Sequence, residues 1–104
     1  MAGAAVTQSS GGVITAATLT AVLGAGALAL DSTTGNTITN LGVITAPGGF
    51  TLDNGNTGVT ATAVIATTNT AISIDVGTGT YTQNADVDNA AGAGAITIIA
   101  DIVA

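Results

Sequence analysis

A repeat of roughly 22 residues is the feature of this sequence that most restricts its fold. Triplets with apolar first and third residues recur along the chain, three at steps of 22 and the last after 24: Leu28–Leu30, Phe50–Leu52, Ile72–Ile74 and Ile96–Ile98. A second column keeps the same step, and a further pair agrees with it: Val43, Ile65 and Val87, with Leu19 and Leu41. A unit of this length cannot bury its apolar face alone, so the units must stack.

Each unit is expected to consist of strands. Apolar and small polar residues alternate with period 2, and the units are rich in Thr and Gly, which disfavours helices. Turn residues punctuate the chain between the triplets, as at Pro47, Gly48 and Gly49. The sequence predicts an all-β, single-stranded parallel β-helix (β-solenoid) of about four rungs of roughly 22 residues over positions 13–104. We expect residues 1–12 to be a disordered or weakly ordered lead-in.

The triplets also predict which side chains enter the core. Rungs about 4.8 Å apart would stack the apolar residues of successive triplets in inward columns, in a solenoid about 19 Å tall. The middle residues of the triplets would then face outward: Ala29, Thr51, Ser73 and Thr97.

Two other interpretations remain open from the sequence. An antiparallel sandwich or barrel also has short strands and regular turns, although it does not require a fixed step between similar residues. The uncharged run 13–30 is long enough for a transmembrane helix, or for a signal peptide with a small-residue site near Ala27. Its Thr and Gly content and the lack of flanking basic residues favour strands instead.

The charged residues exclude several classes of function. The chain has no Lys, Arg, His or Cys, and its six acidic residues, all Asp, give a net charge of −6. Nucleic acid needs cationic side chains, so we expect no such partner. Zinc, haem and iron–sulfur groups lack their usual ligands, and no disulfide can form. We expect no cofactor, no membrane span and no enzymatic activity, because nothing present would activate the Ser and Thr hydroxyls.

Acidic residues supply a weak metal candidate. Asp31, Asp53 and Asp75 follow successive triplets, and Ca²⁺ would relieve the repulsion between stacked carboxylates. Capping of their own turns explains the same positions without a metal. Asp86 and Asp88 would share one face of a strand, as paired catalytic carboxylates do, but no supporting His, Lys or Arg exists, which favours a solvated loop.

Four Thr-x-Thr pairs form a candidate ice-binding face. Thr side chains two apart on a strand point the same way, so stacked rungs would present an array. Such arrays resemble the ice-binding faces of β-solenoid antifreeze proteins. The pairs are Thr18/Thr20, Thr37/Thr39, Thr60/Thr62 and Thr80/Thr82. They follow one another at steps of 19, 23 and 20 residues, which do not match the 22-residue step of the core columns. Thr is also a favourable exposed strand residue, and Tyr81 is expected to pack over a rung edge or to fill a gap.

The stretch 40–52, NLGVITAPGGFTL, resembles the repeats of filamentous-haemagglutinin-type adhesins. The segments GALAL at 26–30 and GAITI at 94–98 resemble the same step from small residues into a strand. These adhesins are exoproteins of Gram-negative bacteria, exported by two-partner secretion or as autotransporters. The resemblance implies a right-handed parallel β-helix, an extracellular or cell-surface location, and roles in adhesion, aggregation and biofilm. The Asn-Pro motifs of the two-partner secretion domain are missing.

The expected function follows from this resemblance. We expect a structural or adhesive β-helix segment that acts as a rigid spacer in a secreted bacterial surface or filamentous protein. The alternatives are the ice-binding face and a self-assembling extracellular fibre subunit. Residues 95–104 would end the solenoid with an apolar rung that has no polar cap, so further repeats or end-to-end self-association are expected.

Overall fold

Twelve short β-strands build the part of the chain that the structure describes. The structure is a computed structural model, and it describes residues 5–68, 70–89 and 94–104. None of these residues lies in a helix. The strands are, in chain order, β1 (Val6–Thr7), β2 (Thr15–Val22), β3 (Leu28–Leu30), β4 (Thr37–Thr45), β5 (Phe50–Asp53), β6 (Val59–Ala61), β7 (Ile65–Ala66), β8 (Ile72–Asp75), β9 (Thr80–Gln83), β10 (Val87–Asp88), β11 (Ile96–Ile99) and β12 (Ile102–Val103).

The strands pair in parallel and form two sheets. Sheet A has five strands in the order β1-β3-β5-β8-β11. Sheet B has the order β10-β7-β4-β6-β9-β12, and β2 also pairs with β4. The chain alternates between the sheets and forms a β-solenoid of about four turns of roughly 22 residues. This confirms the predicted fold, and the parallel pairing rules out an antiparallel sandwich for the described residues.

Sheet A contains the predicted apolar columns in register. Leu28, Phe50 and Ile72 are successive partners, and each is at most 4% exposed. The residues between the inward positions face outward and pair as one column: Thr7, Ala29, Thr51, Ser73 and Thr97. Ile96 pairs with Ile72 but is 45% exposed, because among the described residues no strand pairs with the other edge of β11.

Sheet B departs from the constant step. After Leu19 a bulge sets one residue of β2 opposite two residues of β4. Ile44 is therefore the inward partner of Ile65, and it is fully buried. Assigning Val43 to this column from its spacing was wrong, because Val43 is 43% exposed. Val87 pairs with Ile65 as the spacing predicts.

The solenoid begins earlier in the chain than position 13. β1 lies within the expected lead-in, and Val6 pairs with Leu28. Gln8 ties this rung to the next, since its Oε1 accepts a hydrogen bond from the Ser32 N–H at 3.1 Å. The run 13–30 forms β2 and β3, and the described ranges contain no helix long and apolar enough to cross a membrane.

Both aromatic side chains lie in the core. Phe50 is 1% exposed, and Tyr81 is fully buried beneath the pairing of β9 with β6 and β12. The Tyr81 O–H is directed to Gln83 Oε1 at 3.4 Å, which is long for a hydroxyl hydrogen bond. Tyr81 thus lies in the interior, between its column partners Val59 and Val103, and it is not a surface platform for a ligand.

Candidate functional site

Three of the six acidic residues lie where sheet A turns a corner. Asp53 and Asp75 are partners in β5 and β8, and Asp31 follows β3 outside the pairing. Asp53 Oδ1 accepts from the Gly55 N–H at 2.9 Å, and Asp75 Oδ1 accepts from the Gly77 N–H at 2.8 Å. Both glycines have positive φ, +60° and +55°, which other residues rarely adopt. The two carboxylates therefore close their own turns.

These carboxylates do not gather into a metal site. Among the residues that the structure describes, no group of three or more Asp, Glu, His or Cys side chains could hold a metal ion. Asp53 and Asp75 have turn-closing hydrogen bonds, and metal binding by the column Asp31, Asp53 and Asp75 stays a prediction. Asp86 and Asp88 flank the inward Val87 at β10 and are both exposed, on a chain with no basic side chain to complement them.

Strand register brings only part of the predicted Thr face together. One column of sheet B contains three of these residues, with an Asn between the first two: Thr18, Asn40, Thr60 and Thr82. Thr37 pairs with Thr15 in another column, and Thr80 pairs with Ile102. The other members are exposed outside the first column: Thr20, Thr39 and Thr62. Ice binding by this face stays a prediction.

A buried asparagine bridges two rungs that differ in length. Asn54 is fully buried, and its Oδ1 accepts a hydrogen bond from the Ile38 N–H at 2.9 Å. Its Nδ2 donates to the carbonyl oxygens of Ile38 and Thr57, each at 2.9 Å. The amide thus pairs with both backbone groups of Ile38, as a neighbouring strand would.

Asn36 has a similar role one rung earlier. Its Oδ1 accepts from the Ile14 N–H at 2.9 Å, and its Nδ2 donates to the carbonyl oxygens of Leu30 and Asp53 at 3.1 and 3.0 Å. Sequence reasoning missed both asparagines, because Asn in a Gly-rich segment looks like an exposed turn residue. Within the described ranges, every buried side-chain nitrogen and oxygen atom has a hydrogen-bond partner.

An open apolar groove of about 600 Å³ lies at the N-terminal end of the solenoid. We call it the N-terminal groove; it is lined by residues of β1, β2 and β3, among them Val6, Leu19 and Leu28, and by Ile14. In the described residues β1 pairs only with β3, and β2 only with β4, so one edge of each strand is open. The sequence held a signal for β1, since Val6 stands one full repeat before Leu28.

The opposite end presents apolar side chains on another open edge. Within the described part, β11 pairs only with β8, and β12 only with β9. Four apolar residues of these strands are 45–63% exposed: Ile96, Ile99, Ile102 and Val103. We call β11 and β12 together the C-terminal rung. Its apolar character was predicted from the sequence.

The geometry is that of a scaffold with two apolar ends, polar outer columns and buried amide bridges. Comparisons with protein-family models, with curated proteins and with solved structures found no match.

Proposed function

We propose that the chain is a structural, adhesive β-helix segment that acts as a rigid spacer in a secreted bacterial surface or filamentous protein. The observation that most supports this role is the unbroken run of sheet A through five strands. A stack bonded from rung to rung holds its ends at a fixed separation, which is what a spacer requires.

The core supports this stiffness. Leu52 and Ile74 stack beneath the same sheet as Phe50 and Ile72, and none of the four is more than 1% exposed. Side chains packed to this degree resist displacement, because any opening between rungs exposes apolar surface and breaks ladder hydrogen bonds together. Sheet A has no slip in register where the chain could hinge.

The outer surface supports the location outside the cell. The outward column of sheet A consists of Thr, Ser and Ala, and the only charged side chains are Asp. The net charge of −6 makes neighbouring solenoids repel one another along their sides. The resemblance of residues 40–52 to filamentous-haemagglutinin-type repeats adds the expectation of export to a cell surface.

Rigidity is tested by electron paramagnetic resonance on Thr7→Cys/Thr97→Cys. Both residues are exposed, belong to one column and lie four pairings apart, so we expect one narrow distance distribution around a Cα separation of about 19 Å. The chain has no native Cys, and unlabelled protein in excess removes distances between molecules. Thr7→Cys/Thr51→Cys is the matched control, at about half that distance. A broad distribution for both pairs would reject the rigid spacer.

Location is tested separately with antibodies raised against the purified chain. Intact source cells should be labelled without permeabilisation. Labelling that needs permeabilisation would contradict a surface location and leave the rigidity result unaffected.

A further inference from the structure

The two ends of the solenoid carry the same strand columns. Val6 of β1 and Ile96 of β11 are the first and last members of one sheet A column. The pairings within this column are parallel, so both end strands run in the same direction. A second copy in the same orientation would therefore continue the parallel pairing without reversing a strand.

We propose that the N-terminal groove of one copy receives the C-terminal rung of a second copy, so that chains join head to tail. Extending the column by one step places Ile96 of one copy beside Val6 of the next, and Thr97 beside Thr7. β12 then lies beside the first half of β2. This inference goes beyond the spacer role and does not depend on it.

The chain's own interior shows why a second copy fits. Each inner strand of sheet A has a parallel strand on both sides. In these inner strands Phe50 and Ile72 are at most 1% exposed. At the ends, the equivalent apolar side chains line an open groove or remain about half exposed. Joining the ends would bury Ile96 and Val103, whose partners Ile72 and Tyr81 are fully buried, and would pair the open strand edges. Burial and edge pairing are also the two contributions that hold the inner rungs together.

Charge permits this contact and sets its salt dependence. Residues 5–30 contain no charged side chain, so the rim of the N-terminal groove offers no carboxylate to oppose Asp101 of the incoming copy. The repulsion between copies is long-range and arises from the net charge of −6 on each. Salt screens such repulsion, so assembly should increase with ionic strength. A head-to-tail contact does not close on itself, so the product is an open filament.

The register is tested with the full chain carrying Val6→Cys/Ile96→Cys. Within one copy these positions are four pairings, about 19 Å, apart, far beyond the roughly 7 Å limit between the Cα atoms of a disulfide. Mild oxidation should therefore link different copies, and a non-reducing gel should show a ladder of multimers. The matched control is Val64→Cys/Ile96→Cys, since Val64 is 44% exposed on the side of the solenoid. Its ladder should form at least about tenfold more slowly, because proximity sets the rate.

Sedimentation velocity supplies the second test. The unmodified chain should sediment faster as concentration and salt rise. Val103→Asp should abolish this increase, because Val103 continues the inward column of Tyr81 and is 63% exposed at the C-terminal rung. Val6→Asp should do the same from the other end, with circular dichroism confirming that each variant is folded. Val64→Asp should assemble like the unmodified chain. A strictly monomeric unmodified chain in high salt, or equal loss in Val64→Asp, would overturn the proposal.

Discussion

The two sheets of the solenoid keep their register in different ways. In sheet A, partners differ in sequence number by 22 through three pairings, as in Leu28 with Phe50, and by 24 in the last. In sheet B the difference varies from 20, for Asn40 with Thr60, to 23 across the bulge. The apolar triplets of sheet A therefore set the repeat length. Before the last rung, the differences in rung length fall in sheet B; in the last rung the step is 24 in sheet A and 22 in sheet B.

Asn54 shows how a shorter rung is accommodated. Asp31 and Leu41 are ten residues apart, whereas Asp53 and Ala61, at the equivalent points one rung later, are eight apart. In the shorter rung no backbone group lies opposite the N–H and C=O groups of Ile38. The side-chain amide of Asn54 forms hydrogen bonds with both of them instead. A side chain thus supplies hydrogen bonds that the repeat itself cannot supply.

Asn54→Ala should break this compensation and have the largest effect. It would leave the N–H and C=O groups of Ile38 buried without partners, which should lower the free energy of unfolding by about 2–4 kcal/mol. Urea unfolding measures this loss of stability. The hydrogen-exchange rate should increase most at the Ile38 amide. Asn56→Ala is the control: Asn56 is exposed and accepts one bond, from the Thr78 N–H, so its loss should be about 0.5 kcal/mol. Equal losses in the two variants would mean that Asn54 does not hold sheet B in register.

Gly77→Ala tests the corner that fixes the register of sheet A. Gly77 has φ of +55°, and an added Cβ would lie 2.7 Å from the carbonyl oxygen of Gly55 in the rung below. Strain and contact together should lower the free energy of unfolding by about 1–3 kcal/mol in urea titrations. Gly11→Ala is the matched control, because a Cβ there would meet nothing within 4 Å. A neutral Gly77→Ala would show that the corner tolerates rearrangement.

The fold could be predicted where the repeat is regular. The apolar triplets identified the inward residues of sheet A, because period-2 alternation and the constant repeat step agree there. The same step wrongly placed Val43 in the inward column. The bulge in sheet B shifts the alternation of inward and outward residues by one, and the spacing of apolar residues does not reveal it. β1 was missed because only one apolar residue, Val6, marks it in a small and polar segment.

The candidate site was less accessible to prediction. The turn-closing role of Asp53 followed from local chemistry, as its bond to the Gly55 N–H shows. The role of Asn54 depends on the lengths of two different rungs, which no local pattern encodes. The N-terminal groove likewise depends on how three strands meet. Features that depend on the relative lengths or positions of several rungs therefore could not be predicted from the sequence.

Tyr81 offers the smallest and most selective test, on the core side of sheet B. Burial raises the pKa of its phenol above 10.0. Above about pH 10 the unfolded chain ionises first and binds fewer protons than the folded chain, so stability is present below that pH and is lost as pH rises. One ionising group limits this loss to at most about 1.4 kcal/mol per pH unit.

Tyr81→Phe should abolish this alkaline slope and change stability at neutral pH by less than about 1 kcal/mol, because it removes only the long contact to Gln83. The chain has one Tyr and no Lys, Arg or Cys, so no other side chain titrates in this range. Urea midpoints across the alkaline range measure the slope, and ultraviolet absorbance of the folded protein follows the phenolate directly. A phenolate midpoint at or below 10 would mean that water reaches the interior of sheet B beside β9. The interior side of sheet B would then be accessible to water, whereas that of sheet A is not.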